Sequence, residues 1–122
     1  MASSLIKEPV HDLEWKRLGY WTPRAGETIT VSTTSSMSID KAEMVMLTPF
    51  SFNAFRNSVI IDYHDFEANA AVTWCYYTNN TLNFYSLNVK KTDATHVQIT
   101  ASANIPSDTR LEMVALAKKG TY

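Results

Sequence analysis

The densest cluster of reactive side chains is Asp62, His64, Asp65 and Glu67, four ionisable groups within six residues. Groups of this kind can ligate a metal. As a carboxylate pair flanking a glycosidic bond, they can also act as acid and base. The spacing favours neither use. A metal site needs about three or four ligands that converge on one point. His64 and Asp65 are adjacent, so on a strand they face opposite ways. In a loop they could converge, and the surrounding Tyr63–Asn69 stretch, YHDFEAN, reads as a solvated polar loop. Nothing in the spacing sets two carboxylates around a cleft. His11 and His96 stand alone. With three glycines in the chain there is no phosphate-cradling loop, and no G-x-S-x-G elbow occurs. The expectation is a protein without catalytic residues, metal or cofactor.

Aromatic rings are the other chemical resource: Trp21, Trp74, Tyr76, Tyr77, Phe84 and Tyr85. A ring face can stack on the apolar face of a sugar while polar neighbours read its hydroxyls. Packing in a core is the simpler use. In AAVTWCYY the period of a strand puts Val72, Trp74 and Tyr76 on one face and Thr73, Cys75 and Tyr77 on the other. One of these sets must lie near a surface or interface unless the strand is central. The candidate ligand-binding residues are therefore Trp21, His64, Asp65, Trp74 and Tyr77. Cys75 is the single cysteine, so no intrachain disulfide exists, and a lone strand cysteine is expected as a small buried hydrophobe.

The elements that position these residues follow from turn signals and alternation. Strands are expected at Glu14–Gly19, Thr28–Ser32, Ala42–Thr48, Ser58–Asp62, Ala70–Tyr77, Leu82–Val89, Thr95–Ala103 and Arg110–Lys118. Turns fall at Thr22–Glu27, Asn79–Asn80, Lys90–Ala94 and Asn104–Asp108. The aromatic stretch Pro49–Asn57 either caps the open end of a sandwich or forms an exposed patch. About eight strands and no long helix indicate an all-β chain, an antiparallel, jelly-roll-like β-sandwich. Residues 1–13 read as an N-terminal arm and 14–122 as the sandwich domain.

Two strands break the half-buried pattern. Ala42–Thr48 puts Met44 and Met46 on one face and Val45 and Leu47 on the other. RLEMVALAK could be a helix by propensity, but its neighbours are strands and a lone short helix would be marginal. It too is apolar on both faces. Two such strands in a small domain imply a subunit interface, with Trp15, Met44, Met46, Met113 and Leu116 as its candidate residues.

Bulk properties narrow the partners. Hydrophobic content of 45% and charged content of 19% are those of a globular domain. A net charge of -1 with scattered Lys and Arg leaves no basic stripe for nucleic acid. No apolar run reaches the roughly 18 residues of a membrane span, and the N-terminal sequence MASSLIKEPVHDLEWK lacks the apolar core of a signal peptide. Neither membrane insertion nor export by the general secretion route is expected.

Several pieces taken in order resemble one family. EWKRLG (Glu14–Gly19) is followed by a short Thr-rich strand, AEMVML (Ala42–Leu47), SVII (Ser58–Ile61), THVQIT (Thr95–Thr100) and a closing TRLEMVALA (Thr109–Ala117). This order over roughly residues 14 to 118 resembles the distal, lectin-like β-sandwich domain of bacteriophage tail fibres and minor tail structural proteins. The resemblance implies a non-enzymatic virion protein, made in the host cytoplasm. It implies a homotrimer that contacts other virion structural proteins and presents a surface to a host cell-surface glycan or protein. The family's glycine-rich central section is replaced here by YHDFEANAAVTWCYY, and the domain follows only about a dozen residues rather than a long shaft. An alternative expectation is a virion decoration or adaptor protein docked by its arm, without sugar binding.

Overall fold

A computed structural model describes residues 12–34, 37–52 and 54–120. Among these residues eight strands form two four-stranded antiparallel sheets. They are β1 (Leu13–Trp21), β2 (Thr28–Ser32), β3 (Met44–Phe50), β4 (Val59–Asp62), β5 (Ala70–Thr78), β6 (Thr81–Asp93), β7 (His96–Ala101) and β8 (Arg110–Lys118). The first sheet has the order β1-β8-β3-β4 and the second β2-β7-β6-β5. β1 pairs with β8 in the first sheet and β2 with β7 in the second. The inner strands are joined as hairpins, β3 to β4 and β5 to β6 to β7. The expected all-β sandwich is the fold of this chain.

The core lies between the sheets. Leu18, Val45, Leu47, Leu111, Met113, Ala115 and Ala117 face inward from the first sheet. Val72, Trp74, Tyr85, Leu87, Val89, Val97 and Ile99 meet them from the second. Period-two alternation produces both sets, since any one-residue slip would turn them to solvent. RLEMVALAK is a strand despite its helical propensity, because it is central, with β1 on one side and β3 on the other.

Several elements depart from the sequence expectation. β1 begins at Leu13, within the stretch read as an arm, and continues past Gly19 to Trp21. Residues 1–11 of the expected arm lie outside the described residues. A bulge between Arg17 and Gly19 carries β1 onward. The extra residue, Leu18, is fully buried, and its carbonyl accepts from Thr34 N (2.8 Å).

Tyr63–Ala68 is a helix (α1), not a loop. Asp62 caps it by accepting from His64 N (2.9 Å), Phe66 plugs the core between the sheets, and Asn69 N closes on Asp65 O. β6 runs through Lys90–Asp93, where a turn was expected, and turns only at Ala94–Thr95. Cys75 is exposed, not buried, because it shares the outward face with Thr73 and Tyr77. In the aromatic stretch Phe55 is buried against Trp74 and Tyr85, whereas Phe52 is exposed.

Candidate functional site

The five residues singled out for ligand binding do not form one site. Trp21 leaves the edge strand of the first sheet, and its Nε1 donates to Ser32 O (3.1 Å) on the edge strand of the second. It closes that side of the sandwich and walls a depression of about 610 Å³ with Tyr20, Arg24 and Ile29. Tyr77 is exposed on β5, at the opposite edge of the second sheet. His64 and Asp65 are exposed on α1. Trp74 is not a surface residue. It is buried, with ring centroids of Phe55 and Tyr85 at 5.3 and 5.7 Å. The alternation that exposes Tyr77 is what buries Trp74. Among the described residues no group of three or more His, Cys, Asp or Glu could hold a metal ion.

The residues next to the carboxylate cluster do structural work. Lys91 of β6 contacts the Asp40 carboxylate and donates to Tyr63 Oη (3.1 Å), and Tyr63 Oη donates to Asp40 (2.9 Å). Glu67 lies 3.9 Å from the same ammonium. The hydrogen bond that Lys91 donates to Asp40 holds the Asp40 carboxyl below its ordinary range and raises the Lys91 ammonium above its own. Burial raises the Tyr63 hydroxyl. The cluster pins α1 and the 3-10 turn Ile39–Lys41 onto β6.

The face that gathers the most unexplained apolar surface is the outer side of the first sheet. The strand registers order it into rows. One row runs Trp15, Leu116, Met44, Asp62, and the next Arg17, Val114, Met46, Ile60. Beside the first row lies Leu13 against Lys118. Leu13 is 51% exposed, Trp15 44%, Met44 41% and Ile60 55%. Apolar side chains at this exposure lie contiguous across all four strands rather than scattered singly over the surface. Four of the five expected interface residues, Trp15, Met44, Met46 and Leu116, meet here. The fifth, Met113, does not. It stands three positions from Leu116, so it points into the core, and it is fully buried there.

Beyond the apolar rows the same face becomes cationic and aromatic. Tyr20, Glu112 and Thr48 form the next row, then Arg110, Phe50 and Arg56. Arg17 lies 5.0 Å over the Tyr20 ring, Arg56 4.9 Å over Phe50, and Arg110 5.4 Å over Phe52. Glu112 receives Arg17 at 3.4 Å and Arg56 at 3.7 Å. Trp, Tyr and Arg around an apolar centre is the composition of binding hot spots. Sequence reasoning missed Leu13, Ile60 and Val114 here, although strict alternation from Leu116 reaches Val114. The arginine cluster had no sequence signal, since it is assembled from β1, β8 and the β3–β4 connection.

No protein-family model, curated protein or solved structure matches this chain.

Proposed function

We propose that this chain is a non-catalytic virion structural module, of the tail-fibre-tip kind that its sequence segments taken in order resemble, that assembles with copies of itself through the outer face of the β1-β8-β3-β4 sheet. The observation that carries the reading is the apolar band Leu13, Trp15, Met44, Met46, Ile60, Val114 and Leu116, which lies on a single face. Burying it in a homo-oligomer removes from water the surface that a lone domain leaves exposed. The stoichiometry we propose is a homotrimer. Copies joined through this sheet leave the outer face of the second sheet and its β5–β6 hairpin free. There Tyr77, Leu82 and Phe84 are exposed, and there we place contact with a host surface glycan or protein.

Light scattering across a dilution series tests the assembly. The wild-type chain is expected to be trimeric at micromolar concentration, and Met46→Lys, which sets a charge in the centre of the band, to be a folded monomer. A wild-type chain that is monomeric at every concentration overturns the reading.

A further inference from the structure

The contact face is electrically polar along its length, and its two ends are unlike. At one end three guanidiniums, Arg17, Arg56 and Arg110, stand over aromatic rings with one carboxylate, Glu112, among them. At the other end two carboxylates, Glu43 and Asp62, accompany one ammonium, Lys118, which lies 3.8 Å from Glu43. The apolar rows lie between. A second copy laid with like ends together would set arginine against arginine. Laid with unlike ends together, it matches cation to carboxylate, and like-charge juxtaposition is what discriminates between such arrangements.

We infer that self-association is head-to-tail, the Arg17–Arg56–Arg110 end of one copy docking on the Glu43–Asp62 end of the next. This rests on the assembly reading above and adds its direction. Two copies laid face to face with unlike ends together are a two-fold pair, each arginine end on the other's acidic end. In a ring, where the unlike ends of successive copies meet, the contact is heterologous and closes when the rotation between copies permits. A ring of three brings the apolar rows toward the axis and leaves no end unpaired. The arginines also suit the contact chemically. Each guanidinium is already stacked on a ring, so less side-chain freedom remains to be lost when its outer N–H groups meet a carboxylate.

Charge reversal in pairs tests the direction. Arg56→Glu/Arg110→Glu makes both ends acidic, and Glu43→Lys/Asp62→Asn makes both basic. Asn is retained at position 62 because it still caps α1. Each pair is expected to weaken association at least tenfold by sedimentation equilibrium, with an unchanged far-UV spectrum. The fourfold variant, in which the ends are exchanged, is expected to recover affinity to within about threefold of wild type. Wild-type association should also weaken with added salt. If wild type assembles and Met46→Lys dissociates it, yet the paired variants associate normally or the fourfold variant fails to recover, the direction is overturned and the face stands. A wild-type monomer overturns both.

Discussion

Gly19 should be intolerant of a single methyl group, for a reason confined to one neighbour. A Cβ at this position would overlap the indole carbons Cζ2, Cη2 and Cε2 of Trp21. The backbone is not the obstacle, since the glycines with positive φ are Gly26 and Gly120. Gly19→Ala must therefore push the indole from its seat. That breaks the Nε1 bond to Ser32 O, which joins the two sheets at their open edge. The lost hydrogen bond costs about 1 kcal/mol. Exposing a half-buried indole costs about another 1–2 kcal/mol. The sum, roughly 2–3 kcal/mol, lowers Tm by about 8–12 °C in a chain of this size.

A double-mutant cycle by urea denaturation isolates the cause. In a Trp21→Ala background the clash has no partner, and Gly19→Ala should be neutral or stabilising by about 0.5 kcal/mol. An equal cost in both backgrounds would refute the steric account and place the requirement in the bulge backbone.

Three further outcomes follow from the packing. Phe66→Ala should cost about 3–5 kcal/mol by urea denaturation, because the ring is fully buried and anchors α1 between the sheets; a cost below about 1 kcal/mol would contradict that role. Lys91→Met should cost about 1 kcal/mol at pH 7, a modest figure because Asp40 is half exposed to solvent. Asp40 has a lowered folded pKa, so its share of stability is present above its ordinary value of 3.8 and is lost as pH falls through the folded value. Lys91 has a raised one, so its share is present below 10.5 and is lost as pH rises through the folded value. The gap between wild type and Lys91→Met should thus be flat between these limits and close in acid; a gap that persists well below pH 3 would contradict the assignment. Cys75 should react with one equivalent of a thiol reagent without denaturant, in the assembled protein as well, since it lies on the opposite outer face; a requirement for denaturant would refute its placement.

Much of the architecture was legible because alternation is a local property. That Val45 and Leu47 share one face and Met44 and Met46 the other can be read from the strand alone, and so can the separation of Trp74 from Tyr77; which face is buried cannot, because both are apolar. The helix at Tyr63–Ala68 was not legible. Its six residues carry one buried side chain, and besides the local Asp62 cap its stability comes from the burial of Phe66 and the Lys91 bond to Tyr63, which are tertiary facts. The length of β1 was hidden for a similar reason. Gly19 suggests an end, but the bulge at Leu18 lets the strand continue. The candidate face shows both limits at once. Its apolar rows follow from period two. Its arginine end depends on strand order, which no single strand encodes, because Arg17, Arg56 and Arg110 meet only when β8 lies between β1 and β3.

The most direct test of a covered apolar face is methionine oxidation by dilute peroxide, read by mass spectrometry as a function of protein concentration. Met44 is exposed and Met46 half-buried in the isolated domain, whereas Met37 and Met113 are fully buried within it. At dilutions that separate the copies, Met44 and Met46 should oxidise readily while Met37 and Met113 stay protected. At concentrations that favour assembly, protection of Met44 and Met46 should rise at least tenfold. Rates for Met44 and Met46 that stay high and independent of concentration would contradict the central claim that this face is where the copies meet.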